Sequence, residues 1–192
     1  AFFHKGDYTN TFARKMETPK ARAQYMWYND EMPYTLENSI RADIAGQVLD
    51  MIYLKKIREE ASAAYSVSAI GRAQLREDKT HSMMLYAVCP MKPEKRQEAV
   101  SILEQEVKDL ANTCDASMVT KIKELMLKQA DDAVKSNGYW YNVIEMYDKY
   151  GIDSHSDYKK LIEAQTPETI CSFMKEFNKN GNRLGVIMLP AE

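Results

Sequence analysis

The order of predicted strands and helices in this 192-residue sequence indicates an α+β fold, with a mostly antiparallel sheet and helices packed on one face. Short segments with strand-like alternation or apolar clustering are separated by longer segments whose apolar residues recur at helical spacing. Hydrophobic residues make up 45% of the chain, enough for a sizeable core. No linker or internal repeat divides the sequence, so we expect residues 1–192 to form a single domain.

Four segments are expected to be strands of one sheet. The first is aromatic-rich and lacks Gly and Pro, and the second alternates Tyr65, Val67 and Ala69 with serines. A polar turn joins the second to the third, which indicates an antiparallel hairpin. The predicted strands are residues 20–28, 64–71, 81–89 and 184–189.

Helices are expected between these strands. Thr35 is a plausible N-cap for a long helix whose apolar face contains Ile40, Ile44 and Val48 and which ends near residues 55–59. The aromatic-rich segment from Tyr139 to Tyr150 is expected to be a separate helix ended by Gly151. Further helices are expected to begin near Pro93, Asp115 and Thr166, the last with Thr as N-cap and Pro at the first helical position.

Composition and charge exclude several classes of protein. The formal net charge of −2 argues against a nucleic-acid-binding protein, which would carry a basic excess. No apolar run approaches the ~20 residues that a transmembrane helix needs. Residues 1–4 lack the charged start and apolar stretch of a secretory signal, so the signal of an exported parent protein would lie outside this sequence. The three cysteines, an odd and widely spaced set, form no disulfide framework.

The sequence contains no recognisable metal or nucleophile motif. The three histidines, His4, His81 and His155, lie far apart and lack the HxxEH pattern or its inverted form. A local zinc site needs at least three well-placed ligands, so we expect no metal site in this chain. Phosphate-binding glycine loops and the GxSxG nucleophile elbow are also absent from the sequence.

The most distinctive segment, residues 57–67, joins the end of the long helix to the second strand. The conservative interpretation is a capping Arg58, a solvated pair of glutamates and an ordinary strand Tyr65. The alternative uses the run of small residues at 61–64, which would let another chain approach the backbone closely. Arg58 supplies a planar fork of donors and Tyr65 one hydroxyl, and together they could hold the carbonyl groups of an extended peptide.

This segment resembles the C-terminal repeat of the pitrilysin family, zinc peptidases that include insulin-degrading enzyme and the mitochondrial processing peptidase. Ile57-Arg58-Glu59-Glu60 followed by Tyr65-Ser66-Val67 matches the family block L/I-R-E-E-x-x-x-x-Y-S-V. The resemblance spans roughly residues 15–190, and flanking segments agree in order and spacing. They are Pro33 to Asn38, Asn137 to Trp140, Tyr147 to Gly151, Thr166 to Ile170 and Met188 to Pro190.

The resemblance implies a LuxS/metallohydrolase-like domain. It also implies that zinc binding and substrate contact belong to different halves of the full-length protein. In the family the zinc-binding motif lies in the N-terminal half, and the C-terminal half closes over the peptide substrate to form a chamber. Carried over, Arg58 and Tyr65 would contact the substrate backbone, with Tyr65 stabilising the developing oxyanion. Zinc and the general base would belong to an N-terminal half absent from this sequence, so the chain alone would be inactive. Bacterial relatives suggest a periplasmic location.

Two alternatives stay open at this stage. Some members of the family are structural or scaffold subunits that keep the fold and lack peptidase activity. The chain could also be an α+β binding module unrelated to proteolysis. An HxxEH motif in the preceding part of the gene product would distinguish a peptidase from a scaffold.

Overall fold

The computed structural model describes residues 4–191, which form five strands and six α-helices. The strands are β1 (Asp7–Arg14), β2 (Ala21–Asn29), β3 (Ser68–Leu75), β4 (His81–Met91) and β5 (Arg183–Pro190). The helices are α1 (Leu36–Tyr53), α2 (Arg96–Asp109), α3 (Ala116–Ala133), α4 (Asn137–Tyr150), α5 (Tyr158–Glu163) and α6 (Pro167–Phe177). The predicted α+β class is therefore confirmed, while residues 1–3 and 192, which the sequence prediction included in its domain, lie outside the described part.

The strands form one sheet in the order β1-β5-β2-β4-β3. Only β1 and β5 pair in parallel, and the other three pairs are antiparallel, as the sequence predicted. Strand β1 was not predicted, because all eight of its residues are exposed and no apolar alternation marks it. It is held by its ladder to β5 and by a fork from Arg183, whose Nε and Nη2 each donate to an oxygen of Asp7 at 2.9 Å.

Alternate residues of the central strands face the helices and are buried. In β2 these are Ala21, Ala23, Tyr25 and Trp27, and their register partners in β4 are buried on the same side. The predicted apolar face of α1 packs against them, with Ile40, Ile44 and Val48 buried. Thr35 caps this helix as expected, because its hydroxyl accepts a hydrogen bond from the Asn38 amide at 3.0 Å.

The predicted second strand was wrong at its start. Residues 64–71 were expected to be extended throughout, but β3 begins only at Ser68. Ala64 makes a single isolated bridge to Met91, and residues 65–67 belong to no strand. Tyr65 and Val67 alternate with serines in the sequence, but the backbone of residues 65–67 bends and does not pair with β4.

The remaining helix predictions are confirmed apart from one short element. Thr166 and Thr169 form a reciprocal cap at the start of α6, with Pro167 in the first turn. Gly151 ends α4 in the left-handed conformation, with φ 68°. Helix α5 was missed because six residues are too few for a periodic pattern to stand out. No helix in the described residues is both long and apolar enough to span a membrane.

Candidate functional site

The chain stays helical beyond the end of α1 at Tyr53. Residues Leu54–Glu60 continue it as a π-helical segment, and Arg58 lies in the last turn of that segment. The chain then reverses sharply, because Ser62 adopts φ 48° and the amides of Ala61 and Ala63 bind the carbonyls of Lys56 and Ile57 at 3.0 and 2.9 Å. A π-helical turn is rare and is frequently found at functional sites.

The reversed segment is tied to the end of β4. The Lys92 amide donates to the Ala63 carbonyl at 2.9 Å, next to the bridge between Ala64 and Met91. Ala63 is fully buried and Ala64 nearly so. The small residues are therefore needed to fit the turn into the core, and the expectation that they leave room for another chain's backbone was wrong for these two alanines.

Arg58 and Tyr65 lie on either side of this turn and point away from the core. The Tyr65 side chain is 79% exposed, and Arg58 is also exposed. Neither side chain makes a hydrogen bond or ion pair within residues 4–191. By contrast, Ile57 and Val67, their apolar neighbours in sequence, are buried. The fold therefore packs the neighbouring residues into the core and leaves these two side chains on the surface.

Two contacts with α2 hold the end of α1 and the π-helical segment in place. Lys56 Nζ lies 2.5 Å from Oε1 of Glu106, whose side chain is only 9% exposed. The hydroxyl of Tyr53 donates to the Leu103 carbonyl at 2.8 Å, and burial raises the pKa of this tyrosine well above its usual value. The backbone from which the two donors extend is therefore held on both sides, by α2 and by the end of β4.

Lys92 is a member of this surface that the sequence reasoning missed. Its Nζ lies 6.0 Å from the centroid of the Tyr65 ring, within cation–π distance. In sequence it is 27 positions from Tyr65 and follows the end of a strand, so no local pattern links the two. Lys92 and Tyr65 thus bring one cation and one hydroxyl together, a pair that suits carbonyl or carboxylate oxygens of a ligand.

The histidines do not form a metal centre with other side chains. Among residues 4–191 there is no group of three His, Cys, Asp or Glu side chains placed to hold a metal ion. The Nδ1 atom of His155 is engaged by the Tyr139 hydroxyl at 2.7 Å, and the His4 ring lies against the Tyr8 ring.

We expect the 192-residue chain to bind no stoichiometric zinc. A structural or catalytic site requires at least three protein ligands at about 2.0–2.3 Å, and the described part of the chain, residues 4–191, assembles no such set. Elemental analysis after purification without a metal-affinity step measures this directly. One tightly held zinc per chain, lost in a His81→Ala or His155→Ala variant, would contradict the prediction.

The fold matches solved peptidase structures. Over 98% of its length the chain aligns with the periplasmic protease PqqL from Escherichia coli, with a TM-score of 0.76 and 22% identity. It aligns over 96% of its length with a peptidase M16 inactive domain from Pseudomonas fluorescens, with a TM-score of 0.69 and 11% identity. No protein-family model and no curated protein sequence matches. The fold predicted from the family resemblance is therefore confirmed, and these low identities establish the fold alone.

The matched chains are much longer than this one. The chain spans 21% of PqqL and 44% of the Pseudomonas protein. It also matches a structure of the first half of PqqL, over 43% of that half, with a TM-score of 0.66 and 11% identity.

Proposed function

We propose that this chain is the non-catalytic, substrate-contacting domain of a zinc metalloendopeptidase, in which Arg58 and Tyr65 hold the backbone of a bound peptide. The observation that carries the proposal is the contrast at the anchored turn between buried packing residues and two exposed, unbonded donor side chains. A tyrosine exposed to this extent beside a backbone anchored by hydrogen bonds suits a binding role, since its ring adds little to the core.

The catalytic parts would come from the rest of a longer polypeptide. An N-terminal half would bind zinc and provide the base, and this domain would close over the substrate in a chamber. The length of the matched peptidases supports this division, because a domain of this size occupies only part of each. The described location of PqqL supports a periplasmic parent protein.

The chemical role of each donor follows from its structure. Zinc held by the N-terminal half would activate the attacking water. Attack on a peptide carbonyl develops negative charge on the carbonyl oxygen, and a hydroxyl directed at that oxygen would stabilise the charge. Tyr65 fits this role, since its hydroxyl has no hydrogen-bond partner within the described residues that it would need to give up. Arg58 can donate N–H groups to a neighbouring carbonyl oxygen of the peptide, which fixes the direction of the peptide.

Arg58→Lys is expected to lower kcat/KM of the longer protein by about tenfold or more, since lysine keeps the charge but loses the planar fork of donors. The free energy of unfolding should stay within about 0.5 kcal/mol of the parent, because the side chain is exposed and unpaired in the fold. Peptide hydrolysis and thermal melting of the same preparations measure both effects.

The matched control is Arg76→Lys at the opposite end of β3, where the hairpin turns. Arg76 is bonded to its own hairpin through Gln74 and Thr80, so its replacement should not change hydrolysis. Equal activity of the Arg58→Lys variant and the parent would remove Arg58 from the proposed site. A longer protein that lacks peptidase activity altogether would favour the scaffold alternative.

A further inference from the structure

The fold brings two of the three cysteines together at the place where α3 begins beside α6. Cys114 lies just before the N-cap of α3 and packs against the hydrophobic core, and Cys171 lies within α6. Both side chains are partly exposed, and both are free thiols in the structure. The two residues are far apart in sequence, so no local pattern links them.

Hydrogen bonds on both sides of the pair hold its two segments alongside each other. Before the first cysteine, the Val107 carbonyl accepts a hydrogen bond at 3.0 Å from the side chain of Asn178, just after the end of α6. After that cysteine, Lys123 Nζ donates at 2.7 Å to the carbonyl of Gln165, just before the start of α6. The two segments therefore run in opposite directions, and each cysteine lies near the middle of its segment.

The electrostatic surroundings of the two thiols confirm that they are neighbours. Burial is the main reason why the pKa of Cys114 is raised to about 12, and the next largest cause is Cys171, ahead of Asp115 and Glu168. Because an electrostatic effect weakens with distance, an effect larger than that of the adjacent Asp115 indicates that the two sulfurs lie close together. Burial also raises the pKa of Cys171, but there the Lys175 ammonium acts in the opposite direction.

The third cysteine lies in a different part of the fold. Cys89 is fully buried in β4, where its register partner in β2 is Ala23. Burial raises the pKa of this thiol to about 12. We therefore expect Cys89 to stay reduced, which makes it an internal reference for the other two.

We propose that Cys114 and Cys171 form a disulfide bond that joins the start of α3 to α6 when the chain is in an oxidising compartment. The sequence expectation of no disulfide framework considered spacing alone, and one bond leaves the odd cysteine, Cys89, unpaired. The periplasmic location considered above would supply the oxidant, since disulfides form and persist there. The bond requires neither zinc nor peptidase activity, so it goes beyond the proposed function.

The bond would form by exchange with an external disulfide, either a small molecule or a protein. The Cys171 thiolate attacks one sulfur of that disulfide, forms a mixed disulfide and releases the first thiolate. The Cys114 thiolate then attacks the Cys171 sulfur and displaces the second thiolate. The two released thiolates take up the protons that the two cysteines lost, so one disulfide is reduced as the other forms. Cys171 is expected to react first, because the Lys175 ammonium favours its thiolate.

Oxidation of the folded 192-residue chain with glutathione disulfide tests the proposal. Titration of free thiols after acid quenching and denaturation should show a fall from three thiols per chain to one. Mass spectrometry of a proteolytic digest should find the peptide of Cys114 joined to the peptide of Cys171. The melting temperature should rise by about 5–15 °C, because a bond that closes a long loop restricts the unfolded chain.

Two variants separate this bond from other thiol chemistry. Cys114→Ser should stop at one glutathione attached to Cys171, because the thiol that completes the exchange is missing. Cys89→Ala is the matched control and should still form the bond. Three remaining thiols, a bond that includes Cys89 or a bond that only links two chains would each overturn the proposal. So would an oxidised chain that melts at or below the temperature of the reduced chain, because the bond would then form only by distorting the fold.

Discussion

Tyr65→Phe is expected to reduce the turnover of the longer protein by about 10²–10³-fold, the usual effect of deleting one oxyanion donor. The substitution removes one oxygen and keeps the ring, so the contact with the Lys92 ammonium is retained. Because the hydroxyl is exposed and water replaces the lost partner, the free energy of unfolding should change by less than about 0.5 kcal/mol. Turnover and the melting temperature are measured on the same protein.

A second exposed tyrosine gives the control. Tyr8 in β1 is 51% exposed and lies on a strand far along the sheet from the anchored turn, so Tyr8→Phe should leave turnover unchanged. A Tyr65→Phe enzyme with normal turnover ends the assignment of an oxyanion donor. A loss of turnover that merely follows a fall in melting temperature would instead indicate that Tyr65 stabilises the fold.

The parts of the fold that the sequence predicts are those determined by local chemistry. Thr35 and Thr166 begin helices because their hydroxyls accept backbone hydrogen bonds, and Gly151 ends one because it tolerates a positive φ. The central strands can be predicted because one face of each is buried, which favours apolar residues at alternate positions. These signals lie within a few residues of the feature that they specify.

The parts that escape prediction depend on distant residues. All residues of strand β1 are exposed, and the strand exists through its pairing with β5, more than 170 positions away. Tyr65 lies in a turn rather than a strand because the backbone before it bonds to the end of the π-helical segment and to Lys92. The pair of candidate donors was recognisable from the motif, whereas their exposure and the adjacent ammonium of Lys92 became visible only in the fold.

The rigidity of the candidate site originates partly in a close contact between α1 and β3. Gly46 on the helix and Gly71 on the strand meet without side chains between them, so the two backbones approach directly. A Cβ added at Gly46 would lie 1.9 Å from the Gly71 nitrogen, and one at Gly71 would lie 1.7 Å from the Ala42 carbonyl oxygen. Strand β3 follows Tyr65 within three residues, so this contact also fixes the position of the tyrosine.

Gly46→Ala should therefore destabilise the chain by roughly 3 kcal/mol, at the upper end of the cost of overpacking a core, because the obstructing atoms are backbone and cannot rotate away. In an ordinary exposed helix position the same substitution stabilises by up to about 1 kcal/mol. Whether Gly46→Ala lowers or raises the free energy of unfolding therefore shows whether the backbones of α1 and β3 are in direct contact. Gly138→Ala in α4 is the matched control, since its Cβ would meet only the Ser136 hydroxyl at 3.6 Å.

Chemical denaturation of both variants measures the difference in the free energy of unfolding. We expect Gly138→Ala to be neutral or slightly stabilising and Gly46→Ala to lower the midpoint sharply. If Gly46→Ala were as stable as the parent, the direct backbone contact between α1 and β3 would be disproved. In the longer protein, Gly46→Ala should also lower turnover, since a displaced β3 shifts Tyr65. Unlike the effect of Tyr65→Phe, that loss should accompany a loss of stability.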